Sequence, residues 1–234
     1  MRTREALIKS AAEIFGREGF SAAPLTVISS TAGVSNGALH FHFPNKAALA
    51  RAVQDSAALR LAGITERVTT ERTPHLQALV DATYALVLAL ADDVILRAGF
   101  ALSGEGPLNS QACLRRNWQR WVGETLERAR AEGELREGVA SQDGMATVVA
   151  LTLGLEMLSL RDPSWRSPQV LGRFWQLLLP GLAATAVRGR LMVEGSGTDR
   201  VEPPGHNSVG GRSPSGVPAE FRHGDGKHGQ FQPG

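Results

Sequence analysis

Length, composition and charge restrict the protein to a few broad classes. The 234 residues carry a formal net charge of +2 and one cysteine, so an intrachain disulfide is excluded and a reducing cytoplasm is expected. The chain starts without the apolar stretch of a signal peptide, and no apolar run approaches the roughly 20 residues of a membrane span. We expect a soluble cytoplasmic protein without a membrane partner, built as one large domain or two modest ones.

Helical periodicity dominates the chain as far as residue 188, and the alternation typical of β-strands is scarce, so the sequence predicts an all-α fold. The first helix is expected at about 3–17. Short helices follow Pro24 and Ser35, and a longer helix runs over about 45–69. The first three of these helices are expected to form a small N-terminal domain.

The helices that follow are more apolar. The sequence LQALVDATYALVLAL is apolar almost all round, so its helix should be buried on most sides. Pro180 should kink or interrupt the last helix. These helices predict a second helical domain over residues 48–188. Its expected helices lie at about 75–91, 93–102, 111–132, 142–160 and 168–188.

The composition changes sharply at residue 189. Residues 189–234 hold 11 of the 26 glycines and 5 of the 12 prolines, with almost no apolar periodicity. Such a segment cannot bury enough apolar surface to offset the conformational entropy that is lost on ordering. The sequence therefore predicts a disordered tail over residues 189–234.

A segment without acidic residues lies near the start of the chain. From Gly19 to Gln54 there is no Asp or Glu, whereas Lys46 and Arg51 fall within it, together with two histidines. Phosphate groups favour a surface of this kind. The segment therefore indicates a partner that carries phosphates.

Two short helices within this segment have the spacing of a helix-turn-helix. Gly33 supplies the positive φ that the sharp turn between them needs, and Ser35 is a good N-cap for the second helix. The second helix starts with small residues, which let it approach base edges in the major groove of DNA. We therefore assign residues 1–47 to a helix-turn-helix domain that binds double-stranded DNA. Its expected DNA-binding residues are Thr26, Ser35, Asn36, Gly37, Ala38, His40, His42 and Lys46.

These residue types predict different roles at the DNA. Asn36 can bond an adenine edge and Ala38 can contact a thymine methyl group, whereas His40 and His42 can donate to phosphate oxygens. Lys46 lies in the first turn of the next helix, where backbone N–H groups and a cation together suit a phosphate. The alternative is an ordinary helical hairpin with two surface histidines. Histidines two apart on a helix do not converge on one ion, so no metal site is expected.

Residues 16–49 read GREGFSAAPLTVISSTAGVSNGALHFHFPNKAAL and resemble the N-terminal domain of the TetR family of transcriptional regulators. The resemblance implies a DNA-binding repressor, not an enzyme, that acts as a homodimer on a near-palindromic operator and responds to a small effector. Two residues depart from the family pattern: Pro24 stands where a Thr usually caps the second helix, and His40 stands where a Tyr is usual. The matching residues are Gly19, Phe20, Ile28, Ala32, Gly33, Val34, Ser35, Gly37, Leu39, His42, Phe43 and Lys46.

Parts of the second half resemble the γ-butyrolactone receptors of actinomycetes, a subgroup of this family. The resemblance covers the stretch from Trp118 to the GEL of residues 133–135 and the FWQLLLPGL segment, and it implies that Trp118 lines an effector pocket. Glu156 stands where the subgroup often has Gln. A carboxylate is a poor partner for a lactone carbonyl because both accept hydrogen bonds. An antibiotic or biosynthetic intermediate is therefore an alternative effector.

A domain of so many apolar helices can enclose a cavity for a small hydrophobic effector. Its expected lining is Tyr84, Leu88, Phe100, Trp118, Trp121 and Glu156, with plain core packing as the alternative for each aromatic residue. The last two helices expose more apolar surface than one subunit can cover, which predicts a homodimer with a four-helix seam. A two-fold dimer presents two recognition helices and requires a near-palindromic site.

The sequence offers little that is typical of an enzyme. A helical lipid-binding carrier or enzyme is the second alternative, but the chain provides no nucleophile–base pair, metal cluster or phosphate loop for it. We therefore expect no enzymatic activity and no cofactor. A regulator of the same fold that binds DNA without any small effector is the remaining alternative.

Overall fold

Helices make up the regular structure of the computed structural model, which describes residues 2–70, 72–103 and 113–197. Within these ranges no strand occurs beyond an isolated antiparallel bridge between Leu135 and Ala183, so the all-α prediction is confirmed. None of the helices in these ranges combines the length and apolar character needed to span a lipid bilayer. The helices are α1 Arg2–Ala22, α2 Leu25–Thr31, α3 Asn36–His42, α4 Lys46–Val68, α5 His75–Asp92, α6 Val94–Leu102, α7 Leu114–Ala131, α8 Ser141–Ser159, a 3₁₀ turn Pro163–Arg166, α9 Pro168–Leu182 and α10 Thr185–Arg188.

The ends of α1 and α9 differ from those expected. α1 continues past Arg17 and crosses a break at Gly19, whose φ of 78° leaves helical geometry. Pro180 lies inside α9 without ending it, and the helix stops two residues later at Leu182. The interruption that the sequence predicts at Pro180 therefore falls between α9 and the short α10.

The first three helices share a hydrophobic core at the N-terminal end of the chain. Each helix contributes at least one buried side chain, among them Phe15 from α1, Ile28 from α2 and Leu39 from α3. Full burial of a side chain of this size stabilises the fold by roughly 1.5–3 kcal/mol. Because Leu39 is fixed in this core, the opposite face of α3 is left at the surface.

α6 packs against both α1 and α4 and so connects the N-terminal helices with the rest of the chain. The approach to α4 is close, because a Cβ on Gly99 would collide with the side chain of Ala57. Asp93 also joins α6 to α4. Its Oδ1 accepts from two backbone N–H groups in the first turn of α6 at 2.9 and 3.0 Å, and its Oδ2 lies 2.7 Å from Nε of Arg60 in α4.

α5 is buried on most sides, as its apolar sequence predicts. The residue before it, Pro74, makes no side-chain cap. Glu134, in the turn after α7, caps the helix instead, since its two carboxylate oxygens accept from the backbone N–H groups of His75 and Leu76, each at 2.9 Å. A carboxylate at this end is also favoured by the helix dipole. Glu134 therefore fixes the start of α5 against the end of α7.

Residues 191–197 cross α5, and we call them the C-terminal strap. The side-chain amide of Gln77 accepts from the N–H of Met192 at 2.7 Å and donates to its carbonyl at 3.2 Å. The carboxylate of Asp81 accepts from the backbone N–H and the hydroxyl of Ser196 at 2.7 and 2.6 Å. The polar face of an otherwise apolar helix is therefore covered by the strap.

The strap corrects the expected boundary of the tail. The composition predicts disorder from residue 189, whereas the structure holds residues 191–197 against α5 by several hydrogen bonds. The physical reason is the buried polar side chains of α5, whose hydrogen-bonding needs the strap meets. The rest of the predicted tail, 198–234, lies outside the described residues.

Candidate DNA interface and α7–α8 cluster

The turn between α2 and α3 is held by backbone hydrogen bonds and by one side-chain cap. Gly33 has a φ of 69°, and the N–H of Val34 donates to the carbonyl of Ser29 at 3.0 Å. Oγ of Ser35 accepts from the N–H of Ala38 at 3.1 Å, which confirms the predicted cap. Caps of this type stabilise a helix start by about 1 kcal/mol. The two helices therefore keep a fixed helix-turn-helix geometry.

α3 presents one face to solvent, and the residues expected to bind DNA lie on or beside it. Neither α2 nor α3 carries an acidic side chain, so this surface can approach a polyanion without like-charge repulsion. Their contacts with DNA stay a prediction. Of the expected residues, Thr26, Ser35, Asn36, Gly37 and His40 are exposed, whereas Ala38, His42 and Lys46 are half-buried.

The ammonium group of Lys46 is engaged within the protein. Its Nζ donates to the backbone carbonyl of Ser21 at 2.9 Å and lies 5.1 Å from the centre of the Phe20 ring. Both contacts tie the start of α4 to the end of α1, a role that no local pattern in the sequence indicates. An ammonium group has three N–H donors, so this arrangement is compatible with a further contact to phosphate.

Phe41 is a residue of α3 that the sequence analysis did not single out. Its side chain is 85% exposed. The ring meets that of His42 edge-on, with centroids 5.3 Å apart and an interplanar angle of 79°. Gly37 lies one turn earlier on the same face. This spacing of four residues is the signal by which Phe41 could have been assigned to the surface that is predicted to face DNA.

Trp118 and Trp121 form a stacked pair in α7. Their ring centroids are 5.4 Å apart and their planes differ by 21°. Trp118 is fully buried, and its Nε1 donates to Oγ1 of Thr152 in α8 at 2.8 Å, whereas Trp121 is half-buried. The structure therefore brings two of the expected pocket residues together beside α8.

Glu156 follows Thr152 by one turn of α8 and is only 8% exposed. Arg115 reaches both of its carboxylate oxygens at 3.4 Å. Burial raises the pKa of Glu156, and the charge of Arg115 opposes that rise. Nε of Arg115 is itself buried and has no hydrogen-bond partner among the described residues. We refer to Arg115, Trp118, Trp121, Thr152 and Glu156 as the α7–α8 cluster.

The other three expected pocket residues have different surroundings. The hydroxyl of Tyr84 donates to the carbonyls of Val193 and Pro168 at 3.0 and 3.3 Å, and its ring borders a separate cleft of about 510 Å³ between α5, α9 and the strap. Leu88 is 42% exposed, and Phe100 is buried in α6. Because Tyr84 is turned to the strap and Leu88 to solvent, the six expected residues do not line one enclosed pocket.

The described residues include no group of three or more His, Cys, Asp or Glu side chains that could hold a metal ion. The two histidines of α3, His40 and His42, differ in exposure, the first being exposed and the second half-buried.

The fold and the exposed helix-turn-helix define a DNA-binding transcriptional regulator. Residues 7–53 match the family described as bacterial regulatory proteins, tetR family. The match runs from α1 into α4 and shows a TetR-family N-terminal domain.

Relatives that cover most of the chain agree with the resemblance to one subgroup. The chain is 28% identical over 199 residues to the A-factor receptor protein of Streptomyces griseus, a match that covers 83% of this chain and 69% of the relative. It is similar to a solved γ-butyrolactone receptor, an ArpA-like protein, with a TM-score of 0.71 and 25% identity over 80% of this chain and 92% of that one. CprB of Streptomyces coelicolor, solved with its operator sequence, gives a TM-score of 0.68 and 25% identity over 80% and 92%.

Proposed function

We propose that the protein is a cytoplasmic repressor that binds a near-palindromic operator as a homodimer and leaves it when a small hydrophobic effector binds. Residues 1–47 contact the DNA in this proposal, and residues 48–188 hold the effector and form the dimer. The observation that carries it is the exposed, acid-free face of α3, set in a helix-turn-helix that matches a family of bacterial regulators.

The DNA contacts follow from where the side chains lie. α3 enters the major groove, where Asn36 faces the bases and Gly37 allows close approach, while His40 donates to phosphate oxygens. Thr26 on α2 and Lys46 at the start of α4 flank that helix and meet the phosphates. The proposed DNA-binding residues also include Ser35, Ala38 and His42.

We place the effector at the α7–α8 cluster. The stacked indoles of Trp118 and Trp121 offer an apolar wall, and the pair of Arg115 and Glu156 adds a donor and an acceptor. Apolar walls with a few polar groups are typical of small-molecule sites. A γ-butyrolactone-type signal is the effector class that we favour, because of the likeness to the A-factor receptor and to γ-butyrolactone receptors.

A second effector class is supported by the chemistry of Glu156. The ionised carboxylate only accepts hydrogen bonds, as a lactone carbonyl does, so the two repel unless the acid is protonated. A buried carboxylate would instead favour an effector that presents a hydroxyl or amine to it. An antibiotic or biosynthetic intermediate with such a donor is therefore the alternative effector.

The proposed dimer rests on exposed apolar side chains of α8 and α9, and the proposed switch rests on the packing of α6. Met157 and Leu158 on α8 and Leu177 on α9 are exposed apolar side chains that a symmetry mate would cover. The effector must bind the DNA-incompetent state more tightly than the DNA-competent state, since only a difference in affinity shifts the equilibrium. α6, which contacts both α1 and α4, is suited to transmit that change.

Footprinting on the DNA that flanks the protein's own gene tests the proposal. We expect a protected near-palindromic site, steep loss of affinity as salt rises, and release in the presence of synthetic γ-butyrolactones or, in separate arms, of candidate antibiotics. A double variant, Asn36→Ala with Lys46→Ala, serves as the control and should bind duplex DNA weakly. If the protein protects no site and its double variant behaves identically, the repressor function is contradicted; if no effector changes operator affinity, only the switch fails.

A further inference from the structure

α3 has a distinctive chemistry for a helix that reads DNA. From Asn36 to His42 it carries no Arg, Lys, Asp or Glu. Arg and Lys read guanine through its O6 and N7 atoms, and Asp and Glu accept from N4 of cytosine. These pairings are absent from α3, so the helix reads neither base of a G·C pair through a charged side chain.

Two groups that α3 exposes, the amide of Asn36 and the ring of Phe41, suit A·T pairs. The amide of Asn36 can form paired hydrogen bonds with N6 and N7 of adenine. Phe41 has no hydrogen-bonding group and is the most exposed of the large apolar side chains in the described part of the chain. The methyl group of thymine is the apolar feature that base edges present in the major groove, so it is the natural partner for this ring.

The surroundings of Phe41 leave room for a duplex. Besides the chain neighbours of Gly37 and the backbone of α3, only Oγ of Ser35 lies within 4 Å of the position that a Cβ on Gly37 would take, at 3.8 Å, so the turn before Phe41 is open. The edge-on contact with His42 restricts the ring on its other side. The segment from Gly19 to Gln54 carries no acidic residue, so it can approach a polyanion without like-charge repulsion. Double-stranded DNA is a polyanion that also presents apolar methyl groups in its major groove, and it is therefore the occupant that suits this ring.

We infer that Phe41 reads a thymine methyl group and that the half-site under α3 is rich in A·T pairs. The inference rests on the proposed function, because it requires α3 to lie in the major groove. It goes beyond that function by naming the base and the chemical group that set the sequence preference.

Replacing thymidine by deoxyuridine in the operator tests the inference, since the two nucleosides differ by one methyl group and nothing else. The full-length protein first selects its operator from a randomised duplex pool, and each half-site thymine is then replaced in turn. Burial of one methyl group corresponds to about fourfold in affinity. At least one replacement in each half-site should therefore weaken binding of the wild-type protein by about fourfold.

Variants of Phe41 show whether this residue reads the methyl group. The Phe41→Ala variant should bind the operator with the sensitive thymine and the operator with uracil at that position equally well, because the ring contact is already lost. Phe41→Leu keeps an apolar contact and should keep most of the thymine-to-uracil ratio. Leu59→Ala is the matched control, because it removes a 76% exposed apolar side chain from α4 and should leave the ratio at the wild-type value.

The outcomes separate this inference from the proposed function. A selected half-site without thymine, wild-type binding that tolerates uracil at every position, or an unchanged thymine-to-uracil ratio in Phe41→Ala overturns the inference while DNA binding stands. If no duplex is selected or bound, the proposed function fails and the inference fails with it.

Discussion

At the scale of single residues, Thr152 provides the hydrogen bond that the buried indole of Trp118 needs. Its hydroxyl accepts from Nε1 of Trp118 and donates to a backbone carbonyl of its own helix, that of Val148, at 3.0 Å. Thr152→Val keeps the shape but leaves the indole N–H unpaired, so we expect it to lower the free energy of unfolding by about 1–3 kcal/mol. Thr152→Ser retains the hydroxyl and should cost less. Urea unfolding followed by tryptophan fluorescence compares the two, and equal costs would show that the hydrogen bond is unimportant.

Glu156 links stability to pH. Burial raises its pKa in the folded protein, so the folded state holds the proton to higher pH than the unfolded chain, whose carboxyl titrates near 4.5. The contribution of this carboxyl to the free energy of unfolding is therefore fully present below pH 4.5, and it is lost as pH rises through the pKa that the group has in the folded protein. We expect the free energy of unfolding of Glu156→Gln, measured relative to wild type in urea, to increase as pH rises above 4.5.

The matched control for the pH effect is Glu124→Gln. Glu124 lies in α7, is well exposed and forms a solvent-screened ion pair with Arg128 at 3.6 Å, so its replacement shows the effect of removing a carboxylate that is not buried. A difference between Glu156→Gln and wild type that is independent of pH would contradict the assignment of a raised pKa to Glu156.

At the scale of secondary-structure elements, the packing of α6 on α4 requires a glycine. Gly99→Ala places a methyl group against Ala57, and overpacking of this kind costs about 1–3 kcal/mol. Gly16→Ala is the control, since a Cβ there would meet no atom within 4 Å beyond its chain neighbours and the backbone of α1, and alanine should stabilise that helix by up to about 1 kcal/mol. The midpoints of urea unfolding of the two variants should therefore shift in opposite directions from the wild-type midpoint. Equal stability of Gly99→Ala and wild type would mean that α6 can shift away from α4.

The elements that could be predicted from the sequence are those whose signals are local. Apolar spacing identified the helices, and the cap of α3 follows from Ser35 itself. The cap of α5 could not be found in this way, because Glu134 lies 59 residues after His75 and reaches it only through the tertiary fold.

The candidate site shows the same division between local and tertiary signals. The helix-turn-helix was predictable, whereas the contact of Lys46 with Ser21 and the orientation of Tyr84 towards the strap depend on neighbours that are distant in sequence. Phe41 is the exception, because helical spacing alone places it one turn after Gly37.

At the scale of the whole molecule, the C-terminal strap stabilises the fold from the end of the described chain. Deleting it removes the hydrogen bonds to Gln77 and Asp81 and the packing of Leu191 and Val193 on the core. We expect a protein truncated after Arg190 to melt lower than one truncated after Gly197, by about 2–4 °C for each kcal/mol lost. Calorimetry of the two truncated proteins measures the difference, and coincident transitions would mean that the strap contributes nothing.

The two stacked indoles of α7 also provide a spectroscopic signal by which binding beside them can be followed. Rings stacked 5.4 Å apart couple electronically, and that coupling contributes to near-ultraviolet circular dichroism. A compound that inserts beside Trp121 would tilt or separate the rings and change the signal, even in the absence of DNA. Libraries of small molecules can therefore be screened spectroscopically before any promoter is known.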